Sequence, residues 1–119
     1  MRPLLDRERD LVSYLFELAG HYLDAETLCV VPMEDGGMGS LAVAPLGRSG
    51  RFVASECHFH DSDQTPVSAV LYCDAEGEPC EVDIWKVDFL ALVTWPTRAA
   101  LSPGPPNDSF KPMPLRGTA

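Results

Sequence analysis

Hydrophobic and polar residues alternate most strictly along residues 67–86, and the rest of the chain is read outward from there. Residues 67–73 and 80–86 are short runs rich in Val, Ile, Tyr and Trp around a Gly-containing turn, the pattern of a β-hairpin. Two registers compete. A two-residue loop at Glu76-Gly77 sets Cys73 opposite Cys80, Leu71 opposite Val82 and Ala69 opposite Ile84. A three-residue loop at 75–77, with Gly77 left-handed, sets Tyr72 opposite Cys80 and Leu71 opposite Glu81. A one-residue slip turns every side chain of a strand to the other face. The first register gathers Val67, Ala69, Leu71, Cys73, Cys80, Val82 and Ile84 on one side and leaves Ser68, Glu81 and Asp83 on the other. The second mixes Glu81 and Asp83 with Leu71. Pro79 favours the first, because it then falls at a position where the ladder needs no N–H. The outer face also carries Val70, Tyr72 and Trp85, too apolar a set for a bare surface.

Before the hairpin, Leu11, Tyr14, Leu15 and Leu18 follow helical spacing, supplemented by Val12, Phe16 and Ala19. Asp6 is placed to cap a helix running to about residue 19, and Gly20 is a natural stop. Arg9 then takes the third helical position, so a full capping box is not expected. Residues 27–33, 38–44 and 51–60 read as three further strands, separated by turns at 34–37 and 45–50. Five short strands with brief connections predict an antiparallel meander. The fold class expected is α+β: an N-terminal helix packed on a meander sheet of about five strands. Residues 87–95 fit either a sixth strand or a packed loop.

Residues 97–119 hold 5 of the 11 prolines, which excludes a regular helix or inner strand. The expected organisation is a single α+β domain over 1–96 and a Pro-rich tail over 97–119. That tail is expected to fold back near Trp85 and Tyr72 through Phe110, Met113 and Leu115.

Charge changes the picture of partners. Residues 1–96 hold 17 acids and 6 bases, whereas 97–119 hold 1 acid and 3 bases. An acidic body repels phosphate backbones, which argues against nucleic-acid binding. It steers a basic protein toward itself, although acidity kept for solubility is the plainer account. No apolar run approaches the roughly 18 residues of a membrane span, and the charged N-terminus lacks the core of a signal peptide. No membrane association is expected, and the cytoplasm is the expected compartment. The four cysteines are accordingly expected as free thiols, with no Cys-x-x-Cys to suggest zinc or redox chemistry.

Candidate chemistry is sparse. In a strand, His58 and His60 point to the same side, with Glu56 alongside and Asp61 or Asp63 near enough to complete a metal set. Two histidines on a solvated face need no metal, and no second cluster of ligand spacing exists. Glu81 and Asp83 share a face as a catalytic carboxylate pair would, but acids on the wet side of a hairpin are the common case. Residues 36–40, Gly-Gly-Met-Gly-Ser, lack the Gly-Lys-Ser/Thr ending of a phosphate loop and follow two acids, so they read as a turn that permits close approach.

Arg2-Pro3-Leu4, the run Asp35-Gly36-Gly37-Met38-Gly39-Ser40-Leu41, and Glu81 through Phe89 together resemble a family of small bacterial proteins of unknown function. The likeness spans residues 1–96. It implies no catalytic residue and no cofactor. Proteins of this size and charge also serve as immunity partners of bacterial toxins, an association by type rather than by motif. The leading expectation is therefore a non-enzymatic protein-binding module with an acidic surface, centred on Tyr72, Glu81, Asp83 and Trp85. Two alternatives stay open: a small metal-dependent enzyme using His58, His60 and Asp61, and a homodimer that buries the outer hairpin face.

Overall fold

The structure, a computed structural model, describes residues 1–106. Its elements are β1 (Arg2–Pro3), α1 (Asp6–Leu18), β2 (Cys29–Pro32), β3 (Leu41–Val43), β4 (Phe52–His60), β5 (Pro66–Cys73), β6 (Pro79–Lys86), a 3₁₀ turn at Arg98–Ala100 and β7 (Ser102–Pro103). The strands form one sheet in the order β1-β2-β3-β6-β5-β4-β7, antiparallel at every pairing. The α+β class is as expected. The sheet has seven strands rather than about five, because two-residue pieces at Arg2–Pro3 and Ser102–Pro103 add an edge on each side.

The meander is corrected. β4, β5 and β6 are sequential neighbours, but β3 pairs with β6 instead of β4, giving a Greek-key order. The crossover, residues 44–51, spans the tip of the β5–β6 hairpin. It is fastened there by Arg48, whose guanidinium donates to the carbonyls of Val43, Ala44, Pro45 and Pro79 and pairs with Asp74 at 2.9 Å. Asp74 in turn organises the hairpin loop by accepting the N–H groups of Glu76 and Glu78. A short crossover over a hairpin end is stable only if its own carbonyls are satisfied, and one planar five-donor group does that here.

The first hairpin register holds through the body. Leu71 faces Val82, Ala69 faces Ile84 and Tyr72 faces Glu81. At the tip it fails: a bulge after Tyr72 sets Cys73 opposite Pro79 rather than Cys80, because the Asp74-centred loop is longer than two residues. Val67, Ala69, Leu71, Cys73, Cys80, Val82 and Ile84 are all buried. All four cysteines are free.

Helix α1 lies over β4 and β5 and buries Leu11, Val12, Leu15 and Phe16. Leu18, expected in the stripe, is exposed. The cap differs as well. Leu5 is the N-cap residue and Asp6 the first helical one, so Glu8 takes the third position. Its carboxylate accepts the Leu5 N–H at 2.9 Å and a two-pronged bond from Arg2, tying β1 to the helix start. At the other end Gly20, at φ +75°, permits the His21 N–H to reach the Phe16 carbonyl and its own N–H to reach Glu17, a Schellman stop.

Beyond β6 the chain is a packed loop over residues 87–97, not a sixth strand. The segment that follows crosses the helix: Arg98 pairs with Glu17, its N–H bonds Asp10, and its guanidinium lies 5.2 Å from the Tyr14 ring. Leu101 is buried and β7 pairs with β4. Phe110, Met113 and Leu115 lie outside the described residues.

Replacing Arg48 by Met removes the fork but keeps the aliphatic stem. Thermal unfolding is expected to fall by roughly 5–10 °C, since Asp74 and several carbonyls lose their donor. Amide exchange is expected to quicken over 44–51 and 74–79 but not at Leu71 and Val82. Uniform loss of protection across the sheet would contradict this.

Candidate functional site

Strand parity carries the inward row Val82, Ile84 one step further to Lys86, which is 1% exposed. A lysine buried among apolar side chains demands anionic partners. Lys86 Nζ donates to Asp61 at 2.9 Å, to Asp63 at 2.7 Å and to the Ala91 carbonyl at 3.2 Å, which uses all three of its protons. Asp61, 2% exposed, also accepts the N–H groups of Ser62, Val93 and Thr94. Its bonds to the Asp63 and Asp61 carboxylates hold the ammonium above the usual lysine range. Burial works to raise the Asp61 carboxyl, but its four donors outweigh it and keep it below the usual carboxylate range.

This cluster fastens the 87–97 loop to the sheet. The loop is also seated on the glycine turn: Leu92 N–H bonds the Gly37 carbonyl, and a Cβ at Gly37 would lie 3.1 Å from Ala91. A Cβ at Gly39 would lie 3.0 Å from the Trp95 ring, so only glycine leaves room for it. Asp35 closes the same turn through the N–H groups of Met38 and Ser40, and Ser40 exchanges bonds with the Ile84 backbone. Thus Asp35–Leu41 and the end of β6, two of the three stretches that carry the resemblance, meet directly; Arg2, from the third, shares a cleft of about 620 Å³ with Gly37, Gly39 and Leu41.

The loop turns apolar side chains outward. Phe89, Leu90 and Val93 are 65%, 62% and 63% exposed. Phe89 also has φ +62°, a left-handed conformation that costs a bulky residue about 1–3 kcal/mol. Its ring meets Trp85 edge-on, with centroids 5.9 Å apart.

Trp85 belongs to the sheet face opposite the helix. That face brings together the four residues expected as a binding surface: Tyr72 stands across from Glu81, Val70 from Asp83 and Ser68 from Trp85. Glu56 on β4 lies across from Val70. These residues are half-buried, with Gly50 of the crossover close against Tyr72, and among the described residues no helix covers them. Desolvation first, then the charge of Asp83 and a bond with it, hold the Glu81 carboxyl above its usual range. The Tyr72 phenol is pushed up by desolvation and by Asp83, Glu81 and Glu56.

His58 occupies the β4 edge of this face, with Nδ1 3.0 Å from the Gly104 carbonyl; His60 is exposed. Asp61, grouped with them by sequence, is instead turned to Lys86 and the loop. Among the described residues no three His, Cys, Asp or Glu side chains converge as a metal set. At the other end of the fold, Cys73 Sγ lies 3.8 Å from His21 Nε2, a pairing with no signal in the sequence. Burial and then Cys80 push that thiol up, which opposes a nucleophilic role.

Residues 1–96 match the family model described as Domain of unknown function (DUF6984). Comparison with curated proteins and with solved structures found no match.

Lys86→Met leaves Asp61 buried without its cation. It is expected to lower the unfolding midpoint by roughly 10 °C or more and to speed amide exchange at Val93 and Thr94; unchanged exchange there would sever the link between cluster and loop. Glu81→Gln has the opposite sign. A carboxyl held above its unfolded value opposes folding as pH rises through that window and beyond. The variant is therefore expected to melt roughly 2–4 °C higher at pH 7 and to match the parent near pH 3.5, as differential scanning calorimetry would read.

Proposed function

We propose that this chain, which belongs to the DUF6984 family, is a non-enzymatic protein-binding module that holds a basic protein partner on the open face of its sheet. The observation that carries this reading is the company of Glu56, Glu81 and Asp83 with Tyr72 and Trp85 on a face that no described helix covers. An antiparallel sheet tolerates one wet face, but such a face is ordinarily a mixture of signs. Like charges set side by side are unfavourable. Lysines or arginines of a partner would relieve that repulsion on contact, while Tyr72 and Trp85 supply the anchors that carry most binding energy.

On this face, away from the cleft of about 620 Å³ beside Arg2, the shape suits binding of a surface rather than of a small substrate. The recess lined by Gly50, Tyr72, Glu81 and Asp83 holds about 230 Å³, below the roughly 300–1,000 Å³ of ligand pockets. Glu81 and Asp83 are therefore read as partner contacts and not as a catalytic acid and base. An immunity-like role is the narrower form of the same reading: a small acidic protein that covers the basic surface of a toxin. The acidity of residues 1–96 acts at longer range, raising the rate of encounter with such a partner.

The test begins with affinity capture from the native source and proceeds to a purified partner. Affinity is expected to fall at least roughly tenfold between ~50 and ~500 mM salt. Glu81→Gln with Asp83→Asn should produce a comparable loss at low salt and little at high salt. Binding indifferent to both salt and the double substitution would remove the proposal.

A further inference from the structure

Arg2 and Arg7, two of the six bases in residues 1–96, border the cleft of about 620 Å³ at the helix start. We infer that this cleft binds a small organic carboxylate with a planar apolar body, the carboxylate meeting the two guanidinium groups and the body lying against Trp95. The cleft is on the helix side of the sheet, so the inference does not rest on the acidic face.

The cleft's volume falls within the roughly 300–1,000 Å³ of ligand pockets. Its apolar wall is formed by Pro32, Leu41, Leu92, Val93 and Trp95. The Trp95 ring also rests on Gly39, where a Cβ would come within 3.0 Å of it, and it packs against the core. An indole held in this way needs little further ordering when a ligand arrives, which is how preorganisation raises affinity. Flat rings gain most from such a wall.

The polar side of the cleft sets the charge of the occupant. Arg2 spends three of its five N–H groups, two on the Glu8 carboxylate and one on the Pro3 carbonyl. Arg7 is exposed. Its charge is felt by Glu8, but among the described residues no group accepts a hydrogen bond from its guanidinium. Glu8 is the only acid among the described residues that line the cleft. Two guanidinium groups against one carboxylate leave a single positive charge for a ligand to neutralise. A monoanion balances it. A phosphate dianion overshoots it and meets the negative field of the whole chain, whose net charge is −9. Guanidinium and carboxylate also match as planar, two-pronged partners.

The full chain is titrated by isothermal calorimetry with 2-naphthoate, its neutral analogue 2-naphthylmethanol, and 2-naphthyl phosphate. Naphthoate is expected to bind one to one, roughly tenfold more tightly than the alcohol and at least as tightly as the phosphate. Its amide NMR shifts should centre on Gly37, Gly39 and the Trp95 indole N–H. Arg7→Met is expected to weaken naphthoate about tenfold and to leave the alcohol and the melting temperature unchanged. Arg51→Met, which removes an exposed arginine outside the cleft, should change nothing, and neither should Glu81→Gln with Asp83→Asn. Four results would each overturn the proposal: no saturation below roughly 10 mM naphthoate, equal affinity for the alcohol, full naphthoate affinity in Arg7→Met, or NMR shifts centred away from Gly39 and Trp95. Tighter binding of the phosphate would overturn the assignment of a monoanion.

Discussion

One buried ion pair, Lys86 with Asp61, decides how the loop after β6 is laid against the sheet. A lysine reaches the inner row of β6 because strand parity puts it there, and it cannot stay charged without compensation. Its partners come from the β4–β5 turn, Asp61 and Asp63, and from the backbone of the following loop. Asp61 then spends its remaining capacity on N–H groups of that same loop. A hydrophobic residue at position 86 would fill the space with less desolvation, but it would give the loop nothing to bind. The pair is therefore better understood as a specifier of loop conformation than as a source of stability.

The opposite end uses the same device with different chemistry. Arg48 and Asp74 join the crossover to the hairpin tip, and the guanidinium's fan of donors suits a cluster of carbonyls that a lysine could not satisfy together. Between these two polar fasteners lies an apolar core formed by α1 and the inner faces of β3 to β6. Each fastener sits where the sheet order departs from a simple meander or where the chain leaves the sheet. Those are the places where hydrophobic burial alone does not fix the path.

How much of this was legible follows from the range of the interactions. The pairing of Leu71 with Val82 was readable because it depends on alternation within some twenty residues. The helix was readable for the same reason, although Leu18 shows that periodicity overestimates a stripe's width. The β3–β6 pairing was not, since nothing local to Leu41–Val43 names its neighbour. Parity put Tyr72, Glu81, Asp83 and Trp85 on one sheet face, as the register has them. Parity also placed Lys86 inward, beside Val82 and Ile84, and an inward lysine is the signal that would have led to Asp61. Reading Asp61 as a companion of His58 and His60 followed sequence proximity, whereas its chemistry was set by a strand two positions away in the sheet. The exposure of Phe89, Leu90 and Val93 had no signal at all, because an apolar run after a strand reads equally well as buried.

Two features of this surface are unfavourable. Glu81 beside Asp83 and Phe89 in a left-handed conformation each lower stability, and the edge-on contact of the Phe89 ring with Trp85 offsets part of the second cost. A sequence under no other demand would lose both through single substitutions, glutamine at 81 and glycine or asparagine at 89. Both lie on or just beyond β6, the strand that also carries Lys86. Under the proposed binding role the first of these features has a physical account, since a basic partner would supply the charge that Glu81 and Asp83 lack.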